Sequence, residues 1–348
     1  MNSRQWNNLL DVINGRQLDT LPTGFIIDSP WLPGWHGIST LDYYTSDTLW
    51  FEANKKAIQT FPEIIFLPGF WSEYGMCTEP SAFGAKCRWD EENLPHAEKI
   101  SGDLDILCAL SKPDVRKDGL LPFIINRLKH TQPLIEEVGH EIKFAVARGP
   151  LNIASFLMGT TELMMAMMEE PEKCHQFIGM ISDFLTDWIG YQMERFPSIE
   201  GILLLDDIVG FVGDDLCQKF VVPYFKRIYG AFNAKVNFLH NDAPGLVSAP
   251  YLSEIGVNLF NYSFENSIEE IQRLTNHRVT LLGNIPPRDV MKAGTPQDVR
   301  NAVQQALANV NDRSRIIMSC GGGMSQEVSS ENIAAFHNEV KLQNTKVP

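Results

Sequence analysis

Eight short, apolar, β-rich runs recur along the chain, and each precedes a segment with helical periodicity or helix-start signals. They read PTGFII, EIIFLP, KFAVAR, GILLLD, KVNFLH, VNLFNY, VTLLGN and RIIMSC, beginning near residues 22, 63, 143, 201, 235, 257, 279 and 315. Runs that are apolar on both faces suit strands covered on both sides, as in a parallel sheet flanked by helices. Eight such units in alternation predict an α/β fold, a single (β/α)8 TIM barrel spanning residues 1–348 as one domain. A chain of 348 residues buries roughly three quarters of its unfolded surface, so neither disulfides nor a structural metal is needed for stability. A metal, if present, serves chemistry.

Helix signals support the alternation. Thr295 as N-cap, Pro296 at the first helical position and Asp298 in the first turn mark one start, and Ser330 marks another. Between the third and fourth runs, two helices are predicted with a break at Pro171, and the methionines 164, 165, 167 and 168 read as core or interface filler. The insertions fall in the first half. Residues 69–142 hold Pro, Gly and charged segments long enough to cover the C-terminal mouth of the barrel as loops or a lid.

Charge narrows the partners. With 43 acidic against 29 basic residues the net charge is −14, which disfavours nucleic acid and anionic membrane. The opening MNSRQWNNLLDV lacks the basic start and apolar core of a signal peptide, and no apolar stretch reaches spanning length, so a cytoplasmic location is expected. Cysteines at 77, 87, 108, 174, 217 and 320 form no Cys-x-x-Cys pair, which fits neither a zinc ribbon nor a disulfide framework. Oligomeric state stays open, a homo-oligomer included.

In such a barrel the C-terminal strand ends converge on one mouth. Just past the runs lie Asp28, the loop with Glu73, Arg148, Asp206 with Asp207, His240 with Asp242, Glu265, Asn284 and Cys320. His240 and Asp242, two apart, face one point if the strand extends that far. With Glu265 and Cys320 they offer one nitrogen, one sulfur and carboxylate oxygens, a donor set that suits zinc better than magnesium or calcium. Each also has a plainer reading: a hydrogen-bonded histidine, a helix cap, a solvated loop acid and a buried thiol. The run Gly321, Gly322, Gly323 either cradles a phosphate or lets the chain turn sharply beside a ligand.

The segments RGPLNIASFLMG, LLLDDIVGF, FLHNDAPGL, LLGNIPPRDVMKAGTPQDV and IIMSCGGGM resemble, in order and spacing, the uroporphyrinogen decarboxylase superfamily, and within it the zinc-containing, corrinoid-dependent methyltransferases. The decarboxylases' N-terminal arginine motif has no counterpart in GFIIDSPWLPGW, and Glu63 stands in the segment of their aspartate. The methyltransferase branch carries His-x-Cys after strand five and a distal Cys after strand eight. By this resemblance His240 matches the histidine, Cys320 the distal cysteine and Glu265 an acidic ligand, while Asp242 replaces the first cysteine. A carboxylate donates less charge than a thiolate, which leaves zinc a stronger Lewis acid and favours an oxygen-bearing substrate.

The resemblance implies methyl transfer between a small methylated substrate and a methylcorrinoid (cobalamin) carried by a partner corrinoid protein. Its rivals are a decarboxylase-like lyase using Asp28 or Glu63 as acid or base, and transfer from corrinoid to a thiol. Trp31, Trp35, Trp50, Trp71 and Trp89, with Tyr43, Tyr44, Phe70 and Tyr74, either line an aromatic pocket for a methoxylated arene or methylamine-type donor or simply pack a lid. By location, Asp28 and Glu73 orient substrate or move protons, Arg148 binds a carboxylate, and Asp206 and Asp207 hold His240 or substrate hydroxyls.

Overall fold

The computed structural model describes residues 1–243 and 246–344. All eight apolar runs form strands: β1 Gly24–Ile26, β2 Ile65–Leu67, β3 Phe144–Arg148, β4 Gly201–Leu205, β5 Val236–His240, β6 Leu259–Asn261, β7 Thr280–Ile285 and β8 Ile316–Cys320. Strands β3 to β8 pair in chain order as one parallel sheet, and β1 pairs with β2. A parallel bridge between Thr23 and Met318 joins β1 to β8. Between β2 and β3 no ladder forms among the described residues. The arrangement is the expected TIM barrel.

Alternation along the strands separates two cores. Val146, Leu203, Phe238, Leu259, Leu282 and Ile317 fill the barrel interior, while Ala147, Leu204, Leu239 and Met318 pack outward against the helices. The base of the interior is plugged by the N-terminal helix Ser3–Ile13, started by an Asn2/Gln5 capping box. Trp6, Leu9 and Val12 from this helix join the interior core, and the Trp6 ring meets Phe144 edge-on at 5.6 Å. Its tail-end position hides this role from a search for β/α repeats.

The helix signals hold with one shift. Thr295 caps Pro296–Leu307 through a capping box with Asp298, and the break at Pro171 separates Thr160–Glu169 from Pro171–Arg195. In the last helix, Ser330–Asn344, the cap is Ser329, whose Oγ accepts the Asn332 N–H at 3.1 Å, and Ser330 is the first helical residue. The insertion after β2 carries more order than a loop lid. It holds a two-residue hairpin, Cys87–Arg88 with His96–Ala97, and the helix Leu121–Glu137. Among the described residues no single helix is long and apolar enough to cross a membrane.

Candidate active site at the barrel mouth

His240 closes β5 with its ring on the inward face. Its Nδ1 lies 2.7 Å from Asn261 Oδ1 at the end of β6, and Asn261 Nδ2 donates to the carbonyls of Leu282 at 2.7 Å and Cys320 at 3.1 Å. Backbone carbonyls only accept, so the amide nitrogen must face them and the amide oxygen must face the imidazole. That oxygen requires the proton on His240 Nδ1, which leaves the Nε2 lone pair of the neutral ring free. Nε2 in turn lies 3.8 Å from Asp207 Oδ1, and the Asp242 N–H donates to the same oxygen at 3.2 Å.

Ligand atoms of Asp207, His240 and Asp242 all lie within 4.8 Å of one another, the one such group of metal-type donors among the described residues. Burial raises the Asp242 carboxyl above its ordinary value, His240 opposes the rise, and the charge and hydrogen bond of Asp207 add to it. Two carboxylates facing an imidazole lone pair carry an excess of negative charge that a divalent cation neutralises. The set fits zinc, which accepts nitrogen and oxygen donors. The exposed edge at Asp242 faces the mouth. Gly322, at φ 116°, passes beside it, and a Cβ there would lie 3.1 Å from Asp242 Oδ2. The glycine run therefore turns sharply against the donor group.

A second cluster occupies the ends of β1 to β3. Arg148 Nη2 contacts both oxygens of Glu73 at 2.7 Å. Ser29 Oγ and the Tyr43 hydroxyl approach Asp28 at 3.4 and 3.5 Å. Burial first, then the charge and hydrogen bond of Glu73, hold Asp28 well above the usual carboxylate range. Glu79 accepts the Arg148 N–H at 3.2 Å, and burial pushes it up to about 7. Burial opposes the charge on Arg148, but Glu73, Glu79 and Asp207 more than reverse this. Arg148 thus sits electrostatically between the carboxyl cluster and the donor group.

The sequence-predicted residues separate into three sets. His240 and Asp242 come together as expected, and Asp207 joins them as a third donor. Glu265 is exposed, with its backbone N–H on Ser263 Oγ, and lies outside the group. Cys320 lies outside it too. Ser319 follows the inward Ile317 in register, so Cys320 takes the opposite parity and is buried in the outer core, where burial pushes its thiol upward.

Asp206, likewise of outward parity, accepts the N–H groups of Leu151 at 2.9 Å and Asn152 at 3.1 Å and so caps the helix Pro150–Met158. Burial pushes it up to about 8 despite those donors. A Cβ on Gly149 would come 2.3 Å from Asp206 Oδ2, so only glycine admits this cap. Glu63 precedes β2 at the far end of the barrel, paired with His337 and Lys341 at 3.0 and 2.8 Å, away from the mouth. Arg148, read as a substrate clamp, is engaged by Glu73. The residue that sequence reasoning passed over is Asn261, in the run VNLFNY, where a polar residue closing an apolar strand was the available signal.

The aromatic residues of the N-terminal segments mostly lie in the two cores, Trp71 in the barrel interior. Trp31, Trp50 and Trp71 are buried, and the indole N–H groups of Trp31 and Trp71 reach the carbonyls of Val328 at 3.0 Å and Ile27 at 3.2 Å. Tyr44, Tyr74 and Trp89 form a triangle of rings with centroids 5.9 to 6.2 Å apart, open to solvent at Trp89. The Arg127 guanidinium lies 5.1 Å from the centroid of the Tyr74 ring.

Comparison with known proteins agrees with this architecture. A methyltransferase from Methanosarcina mazei superposes with a TM-score of 0.81 over 97% of this chain and 98% of its own, at 15% identity. In sequence, the chain is 20% identical over 274 residues to the methylated-thiol–coenzyme M methyltransferase of Methanosarcina mazei, covering 76% of this chain and 70% of that protein. It is 20% identical over 280 residues to the uroporphyrinogen decarboxylase of Shewanella pealeana, covering 76% and 75%. Against the decarboxylase of Chloroherpeton thalassium the identity is 24% over 186 residues, and the chain spans half that enzyme's length. The family described as uroporphyrinogen decarboxylase (URO-D) matches residues 7–342, and the chain belongs to that family.

Proposed function

We propose that this chain is a metal-dependent methyltransferase that takes a methyl group from a small methylated donor and passes it to the cobalt of a corrinoid delivered by a partner protein. The observation that carries the reading is the group Asp207, His240 and Asp242, with the His240 Nε2 lone pair freed by Asn261. The Methanosarcina relative lends support from outside. A divalent ion held by these three side chains, zinc by the chemistry of the donors, supplies Lewis acidity toward a heteroatom of the donor. His240 contributes a neutral nitrogen whose direction Asn261 fixes, and the carboxylates offset the charge of the ion. Arg148 holds Glu73 and lends positive potential to the mouth.

The decarboxylase alternative needs cations for substrate carboxylates. Here Arg148 is engaged by Glu73, and Arg127 is engaged by Asp47, Ser72 and the Tyr44 carbonyl. That disfavours a polyanionic substrate. The test combines metal analysis with spectroscopy. Purified protein is assayed for bound metal, then mixed with reduced cobalamin and a panel of methyl ethers, methylamines and thioethers. Near one equivalent of metal and formation of methylcobalamin with at least one donor are expected. A metal-free protein that decarboxylates a small acid at full rate would refute the proposal.

A further inference from the structure

A cation bound by Asp207, His240 and Asp242 has a rival inside the protein. Arg148, Leu205, His240 and Asn261 are register partners on β3, β4, β5 and β6, so they occupy one level of the sheet. Asp207 follows Leu205 on the strand between Arg148 and His240, and its contacts with His240 and Asp242 show that it faces inward. Neighbouring strands lie about 4.8 Å apart, which puts Asp207 within the reach of an arginine side chain on β3. The two strand ends are locked together. Gly149 N–H donates to the Leu205 carbonyl at 2.7 Å, and the N–H groups of Leu151 and Asn152 donate to Asp206 at 2.9 and 3.1 Å.

Arg148 has donors to spare for Asp207. Its pair with Glu73 uses one nitrogen, Nη2, for both carboxylate oxygens, and its Nε is buried without a hydrogen-bond partner among the described residues. A guanidinium carries five N–H donors in a fixed fork, so this pairing leaves several unspent. Asp207 in turn has no lysine or arginine within ion-pair distance among the described residues; its contacts are His240 Nε2 at 3.8 Å and the Asp242 N–H at 3.2 Å. Glu73 draws the guanidinium the other way, from the segment after β2, a strand that forms no ladder with β3. Arg127 anchors that segment one residue earlier, its Nη1 reaching Ser72 Oγ at 3.4 Å while its Nε holds Asp47 at 2.9 Å.

We infer that Glu73 is a positioning residue of the metal site: it holds Arg148 on the β2 side of the mouth and keeps the guanidinium from competing with the cation for Asp207. The Glu73–Arg148 pair is neutral as a unit, so the donor group keeps its full negative charge for a divalent ion. With Glu73 neutral, a fixed positive charge is left beside Asp207, and its unspent donors turn to the one acidic side chain that the ion needs. Glu73 itself lies outside the donor group and acts through Arg148.

This inference rests on the metal reading, and one set of measurements separates their fates. Zinc affinity of the full chain is read by titration against a chromophoric chelator, with no methyl donor and no turnover. Glu73→Gln, which keeps the shape and removes the charge, is expected to bind zinc about 10–100-fold more weakly than wild type. Adding Arg148→Met to it removes the rival and is expected to restore affinity to within about threefold of wild type. Glu73→Asp retains the counter-charge and is expected to bind more tightly than Glu73→Gln. Arg148→Met alone is expected to bind at least as tightly as wild type, which keeps the test independent of how well Glu73→Gln folds. Wild-type affinity in Glu73→Gln, a double variant as weak as Glu73→Gln, or weaker binding in Arg148→Met overturns the inference while leaving the metal site standing. A wild-type protein without zinc affinity overturns the metal reading and the inference with it.

Discussion

Asn261 makes three hydrogen bonds with one side chain, to His240, Leu282 and Cys320, and it is fully buried. Replacing it by alanine removes all three and leaves an imidazole N–H and two carbonyls short of a partner. At about 0.5–1.5 kcal/mol per bond, with a further cost for the stranded N–H, the loss of stability is about 3–5 kcal/mol. The same change frees the His240 tautomer, and loss of a partner that orients a metal-bound histidine typically costs about 10–100-fold in metal affinity. Asn261→Asp separates the two effects. It keeps an acceptor for the Nδ1–H and raises imidazole basicity, but it turns an oxygen toward two carbonyl oxygens. Asn261→Asp is therefore expected to lose stability like alanine while binding zinc within about threefold of wild type. Urea unfolding of the metal-free proteins gives the first quantity, and zinc titration against a chromophoric chelator gives the second. Equal zinc affinity in wild type and Asn261→Ala, or an equal loss of zinc affinity in both variants, would refute the tautomer reasoning.

Three further outcomes follow from named contacts. Because Cys320 lies outside the donor group, Cys320→Ser should retain its metal, whereas His240→Ala and Asp207→Ala should lose it, as read by metal analysis after dialysis. Removing Arg148 strands Glu73 beside Asp28, so Arg148→Met should cost about 3–5 kcal/mol in urea unfolding, and adding Glu73→Gln should recover part of that loss. Glu79 and Asp206 are both raised by burial, to about 7 and about 8. A raised folded-state carboxyl contributes stability that is complete below its unfolded value and fades as pH climbs to the folded one. Stability should accordingly fall between about pH 4 and pH 8, and Glu79→Gln should recover up to about 3 kcal/mol at pH 8 relative to pH 4. A flat profile in wild type, or one unaltered in Glu79→Gln, would contradict the burial of these acids.

The barrel was legible in the chain because buried parallel strands leave a local trace: a short apolar run, then a helix start. All eight runs from PTGFII to RIIMSC became strands, the Thr295 cap formed with Asp298 three residues on, and the helix break fell at Pro171. The convergence of polar residues on one mouth followed from the architecture, so Asp28, Glu73, Arg148, Asp207, His240 and Asp242 could be nominated by number. Their partners could not. Whether Asp206 or Asp207 faces inward, and whether Cys320 or Ser319 does, turns on one residue of register where each strand gives way to its loop. The contacts of Asn261 on β6 reach three other strands, the farthest partner 59 residues away, and the Glu73–Arg148 pair spans 75. Distances of that kind are set by barrel closure and side-chain direction, which no local pattern encodes. The sequence determined the scaffold and the supply of chemical groups, and the tertiary structure decided which of them meet.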